Sequence, residues 1–130
     1  MRILFIEDDA MNRRVVRDML NVAGLPLSEA DGGAAGIARL AREEFDVLLL
    51  DLRMPEMDGF DVMRALRGRS DALRDLPIIV VTADASPGLE DECLATGADA
   101  VLFKPIAMQS LFDSIAALVV DRSDPDRPIG

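Results

Sequence analysis

Acids, one hydroxyl and one ammonium stand at the ends of short apolar runs in this chain. Glu7-Asp8-Asp9 follows Ile3–Ile6, Asp51 follows Val47–Leu50, Thr82 follows Ile78–Val81, and Lys104-Pro105 follows Ala100–Phe103. Carboxylates crowded together repel, and each gains a proton unless a cation neutralises the group. Oxygen ligands with access to water suit a hard ion, and Mg2+ takes one or two carboxylates together with waters and a phosphate. The set therefore reads as a Mg2+ site prepared for a phosphoryl group. Asp51 would be the nucleophile, accepting the phosphoryl as an acyl phosphate. Lys104 would be a point charge beside the transferring group, and Thr82 would donate a hydroxyl hydrogen bond to it. Each residue alone has an ordinary reading, as a strand terminus, a β-former or a solvated charge. Their recurrence at the ends of four strands is what the ordinary readings leave unexplained.

For these side chains to meet, the runs must be neighbouring strands that point the same way. Short apolar runs alternate with segments of helical period: helices are expected over roughly 10–23, 34–44 and 60–67, from Ser86-Pro87, and over 106–120. A weaker strand is expected at Leu27–Ala30. The alternation implies a doubly wound α/β domain of five parallel strands, with helices on both faces. Continuous rather than alternating apolar strands agree, because such strands are buried on both sides. In an open parallel sheet, ligands sit beyond the carboxyl ends of the strands, where the acids lie. Residues 1–120 read as one domain, and 121–130 (DRSDPDRPIG) as a polar tail or truncated linker.

Composition narrows the chemistry further. The 130 residues carry a formal charge of −10 and no histidine. Such an acidic chain is expected to touch neither nucleic acid nor a membrane directly, since phosphates want a basic face. Without histidine, Ser-His-Asp catalysis and phosphohistidine chemistry on this chain are excluded, so any phosphohistidine must belong to a partner. The lone Cys93 can form no internal disulfide, in keeping with a reducing compartment, and the chain is expected to be cytoplasmic.

With Glu7-Asp8, Asp51 in LLLDLRMPEMDG, Thr82-Ala83 and Lys104-Pro105 in this order and spacing, the chain resembles a response-regulator receiver domain of two-component phosphorelays over residues 2–120. The resemblance implies a flavodoxin-like sheet in order 2-1-3-4-5 and Asp51 as phosphoacceptor. It implies Mg2+ held by Asp8, Asp51 and the backbone carbonyl of Arg53, with Glu7 in support. It also implies Thr82 as the switch hydroxyl, a cis peptide before Pro105, and a histidine kinase or histidine phosphotransfer protein as partner. The partner would dock on the first helix, at Met11 and Val15, and on the Pro105-Ile106 loop. Asp9 is read as the N-cap of that helix.

Two features depart from the family or add to it. Three residues before the lysine, where the family often carries an aromatic, this chain has Val101, and Phe103 is expected on the opposite face from it. In the first helix, Asn12, Val16, Met19, Leu20 and Ala23 form the expected core stripe, with Met11, Val15 and Val22 displaced from it. Arg13, Arg14 and Arg17 are candidates to meet acids of the partner. The apolar last helix leaves room for a monomer or a weak homodimer. Asn12-Arg13-Arg14 and Lys104-Pro105-Ile106 look like receivers of hybrid histidine kinases, whereas Met1 directly before the first strand looks stand-alone. A receiver from a DNA-binding regulator is a further version. Two other classes fit less well. A haloacid-dehalogenase-type phosphatase needs an acid two residues after the nucleophile, where this chain has Arg53. A flavin carrier needs a phosphate loop where this chain has three acids.

Overall fold

The structure, a computed structural model, describes residues 1–123, with side chains described through Val119. Five strands and five helices alternate: β1 (Ile3–Ile6), α1 (Ala10–Val22), β2 (Leu27–Ala30), α2 (Gly33–Arg42), β3 (Val47–Asp51), α3 (Gly59–Arg67), β4 (Ile78–Thr82), α4 (Leu89–Thr96), β5 (Ala100–Phe103) and α5 (Met108–Ser123). The strands are parallel in the order β2-β1-β3-β4-β5. This is the doubly wound, flavodoxin-like arrangement expected.

Side chains of the three inner strands alternate between two cores, as the two-residue strand period requires. Leu4, Ile6, Leu48, Leu50, Ile78 and Val80 pack on the face covered by α2, α3 and α4, with Leu40, Met63, Leu66 and Cys93. Ile3, Phe5, Val47, Leu49 and Ile79 pack on the opposite face with Val16 and Leu20 of α1 and Leu111 and Ile115 of α5. Fully burying side chains of this size is worth roughly 1.5–3 kcal/mol each. Both faces thus clamp the central strands and fix how far each reaches toward its carboxyl end.

Several element limits differ from expectation, each for a local reason. α4 begins at Leu89, not at Ser86-Pro87, with Gly88 at φ 83 as its N-cap. The Ser86 backbone N–H and hydroxyl are both bonded to the Asp84 carboxylate, which holds this stretch in a loop. α2 stops at Arg42 because Glu43 is extended and its carboxylate is gripped by Arg39 and Arg2. A 3-10 turn at Ala72–Asp75, capped by Asp71, was not foreseen. α5 starts two residues later than expected and continues through Ser123, so the first three residues of the expected tail are helical. The rest of that tail, 124–130, lies outside the described residues. No helix among the described residues is long and apolar enough to cross a membrane.

Arg39 and Arg2 hold the Glu43 carboxyl well below its ordinary range, at about 2. A depressed acid contributes stability at pH values above its unfolded pKa near 4.5, lost as pH falls through that window toward 2. Urea unfolding of Glu43→Gln should therefore depend less steeply on pH between about 4.5 and 2 than that of the native chain. Parallel curves for the two proteins would refute this.

Candidate functional site

At the carboxyl ends of β1, β3, β4 and β5 the expected residues come together. Glu7 follows β1, and its N–H donates to the Ala30 carbonyl at 3.0 Å, which extends the ladder one step past the strand. Asp51 is the last residue of β3, opposite Val81 of β4. Thr82 ends β4, and its carbonyl accepts the Lys104 N–H at 2.8 Å, setting the start of the loop after β5. The Lys104–Pro105 peptide is cis, as the family pattern implies. Glu7, Asp51 and Thr82 are the buried polar residues here, while Asp8 is exposed.

Lys104 Nζ lies 2.8 Å from Glu7 Oε1 and 3.5 Å from Asp51 Oδ1. One ammonium thus faces two buried carboxylates. Ligand oxygens of Glu7, Asp8 and Asp51 all lie within 4.8 Å of one another. Burial, with the neighbouring Asp51 carboxylate adding to it, pushes the Glu7 carboxyl up. The Asp8 carboxyl is pushed up as well, by partial burial and by Glu7. Burial works against the Lys104 charge, but Glu7 and Asp51 outweigh it and raise its pKa. Glu7 Oε2 is buried with no hydrogen-bond partner. An orphaned carboxylate oxygen is costly unless something else completes it.

These residues fit Mg2+. Three carboxylates converge, one carries an unpartnered buried oxygen, and the exposed Asp8 leaves water access, which suits a hard ion that keeps part of its hydration. Arg53 can offer only its backbone carbonyl, because its side chain is a cation. They line a cleft of about 500 Å³ with Asp9, Asn12, Thr82, Ala83, Asp84 and Lys104.

Asp9 takes the role expected for it: its carboxylate accepts from the N–H of Met11 at 2.8 Å and of Asn12 at 3.3 Å, capping α1. Met11 and Val15 are exposed, at 64% and 43%, as docking residues should be, and so is Val22. Pro105 is exposed too, but Ile106 is half-buried against the core beneath α1 and α5, so only part of it is free to meet a partner. Asn12 and Ala23 leave the expected core stripe: Asn12 sits on the cleft and Ala23 is exposed. Arg13 and Arg17 turn to Glu29 of β2 rather than outward. Val101 packs on the core under α3 and α4. Phe103 lies two residues further along the same strand, so by the strand period it shares the Val101 face rather than opposing it. There it is 40% exposed at the sheet end.

One contact across the cleft mouth was not legible in the sequence. Arg53 Nη2 donates to Asp84 Oδ2 at 2.8 Å, and Asp84 is also bonded by Ser86. Ser86, then Arg53, hold the Asp84 carboxyl down at about 2. The Asp84 N–H donates to Thr82 Oγ1 at 3.1 Å, which leaves the hydroxyl hydrogen to point elsewhere.

The family model described as "Response regulator receiver domain" matches residues 3–116. The chain belongs to the response-regulator receiver family. Receivers similar to this one occur in two kinds of protein. The chain is 40% identical over 126 residues to response regulator MprA of Mycobacterium leprae, a match covering 97% of this chain and 54% of that protein. It is 34% identical over 121 residues to the sensory/regulatory protein RpfC of Xanthomonas campestris, covering 92% of this chain and 17% of that one. The receiver thus spans about half the length of one relative and a sixth of the other. Among solved structures, it is similar to a sensor protein from Polaromonas sp. JS666, at TM-score 0.84 and 32% identity, covering 94% of this chain and 98% of that one. It is also similar to the receiver domain of sensor histidine kinase PA1611 from Pseudomonas aeruginosa, at TM-score 0.82 and 30% identity, covering 91% and 96%. That structure has a magnesium ion coordinated in its active site cleft.

Gly59 is where α3 approaches the end of β3. A Cβ built there would meet the Asp51 carbonyl oxygen at 2.8 Å and the Leu52 Cα at 2.9 Å, both backbone atoms that cannot yield independently. Gly59→Ala should cost about 2–3 kcal/mol in urea unfolding, a typical overpacking cost. Gly32→Ala, with nothing within 4 Å of its Cβ, should cost less than about 1 kcal/mol. Equal losses would contradict the close approach. The crowded acids give a second expectation. Glu7→Gln removes the carboxylate whose pKa burial raises, so in chelator at pH 7 its Tm should match or exceed that of the native chain. A clearly lower Tm would mean that the Glu7–Lys104 bond outweighs the crowding.

Proposed function

We propose that this receiver accepts a phosphoryl group on Asp51 from a partner's phosphohistidine, with Mg2+ held by Glu7, Asp8, Asp51 and the Arg53 carbonyl. The observation that carries this is Lys104 Nζ, set 2.8 Å from Glu7 and 3.5 Å from the buried Asp51. In the transfer, an Asp51 carboxylate oxygen forms the new O–P bond as the N–P bond of the phosphoimidazole breaks, and the imidazole keeps the electron pair and gains a proton. Lys104 offsets charge on the phosphoryl oxygens, and the Thr82 hydroxyl donates to one of them. Mg2+, when bound, supplies charge neutralisation and orientation of the phosphoryl group. The carboxylates would hold the ion, and the Arg53–Asp84 pair borders the same cleft as Asp51.

In this reading the chain catalyses its own phosphorylation and dephosphorylation and turns over no external metabolite. The partner is a histidine kinase or a histidine phosphotransfer protein, met by Met11, Val15, Pro105 and the exposed part of Ile106, in the cytoplasm. Similarity to both a response regulator and a sensory/regulatory protein supports a relay module. A dehalogenase-type phosphatase is disfavoured by Arg53, which stands where the second acid would be and is tied to Asp84.

Incubation with a small phosphodonor and Mg2+, followed by intact-mass measurement, tests this. One phosphoryl adduct is expected, lost with chelator and absent in Asp51→Asn. An adduct that persists in Asp51→Asn would overturn the assignment, as would none on folded protein from either a small donor or a histidine kinase.

A further inference from the structure

We propose that Arg13 is a positioning residue for the cation site, acting through the peptide that joins Glu7 to Asp8. This inference rests on the Mg2+ reading of the acid cluster. Arg13 Nη1 donates to the Glu7 carbonyl at 2.8 Å, and its Nε lies 3.3 Å from Glu29 Oε1 on β2. The same Glu29 carboxylate is gripped more tightly from the next turn of α1, by Arg17 Nε at 2.7 Å and Nη2 at 2.8 Å. Arg39 of α2 donates to the Glu29 carbonyl at 3.1 Å, which fastens that residue from a second helix.

The consequence for the site is geometric. Glu7 lies just beyond the β1 ladder, where the peptide that follows it is free to rotate unless its carbonyl is held. The Glu7 N–H, part of the preceding peptide, is bonded to Ala30, and the Glu7 carboxylate to Lys104. The Glu7 carbonyl is the hinge to Asp8, and Arg13 holds that carbonyl from behind while Glu29 holds Arg13. Asp8 is exposed and contributes to the carboxylate cluster, so the direction of its backbone comes from the peptide before it. A guanidinium suits this task because its planar fork bonds two acceptors in fixed directions, which an ammonium does not. Groups behind the ligands that fix their orientation commonly carry 10–100-fold of metal affinity.

Arg17 is the matched control, since it lies on the same helix as Arg13 and pairs with the same Glu29, but is joined to Glu7 by no hydrogen bond or ion pair. Isothermal titration with Mg2+ alone, at fixed salt, would be run on the native chain, Arg13→Met, Arg13→Lys and Arg17→Met. Tm in chelator would be recorded for each. Arg13→Met should raise the Kd for Mg2+ about tenfold, whereas Arg17→Met should stay within about twofold even if its Tm falls as far or further. Arg13→Lys keeps the charge and stem but not the fork, and should raise the Kd at least about threefold. It also keeps the test decisive if Arg13→Met fails to fold. Equal effects at positions 13 and 17 would make the role a general one in holding α1 to β2, and would overturn the proposal. So would a native Kd in Arg13→Lys. No Mg2+ binding by the native chain would instead overturn the cation reading itself, an outcome recognisable without any variant.

Discussion

The ammonium of Lys104 is the charge on which the site depends. It joins residues 97 positions apart, and it is one positive charge against two buried carboxylates with a third nearby. Burying unbalanced charge is expensive, and the structure answers only part of that cost. The raised Glu7 carboxyl and its unpartnered Oε2 are signs of the remainder. Without a metal ion the cluster therefore depends on Lys104 and on the surrounding fold. The same imbalance favours anything that brings positive charge to the acids.

What holds the cluster is the sheet behind it. β1, β3 and β4 are packed on both faces, so their carboxyl ends cannot shift without disturbing two cores. β2 is one of the two edge strands and is less buried, yet through Glu29 it is tied to α1 and through its carbonyl to α2. The charged contacts lie where apolar packing thins out. An edge strand fastened by arginines to helices on both faces completes the support of the loop after β1.

Four of the strands were legible because each contains a continuous apolar run, the pattern of burial on two sides, whereas β2 (LSEA) gave only a weak signal. The site acids, Thr82 and Lys104 were legible because each directly follows such a run. Limits were misread where hydrogen bonds to a single carboxylate decide them: Ser86 on Asp84 delays α4, and the arginines on Glu43 end α2. Asn12 was placed in the core because helical spacing locates a stripe only to within part of a turn. Phe103 was assigned to the wrong face although a two-residue offset preserves the face. The Arg53–Asp84 and Arg13–Glu7 contacts had no signal in the spacing. A long cationic side chain reaches many acceptors, and only the folded backbone selects one.

β3 shows a further consequence of this packing. Leu48 and Leu50 belong to one core and Val47 and Leu49 to the other, with Asp51 next in line and the register set by β1 on one side and β4 on the other. Exchanging one aliphatic residue for another alters a core locally. Losing or gaining a single residue would reverse the facing of the side chains beyond it and move the carboxylate about 3.3 Å along the sheet. The strand acts as a ruler, and its length is less negotiable than the spelling of its apolar residues.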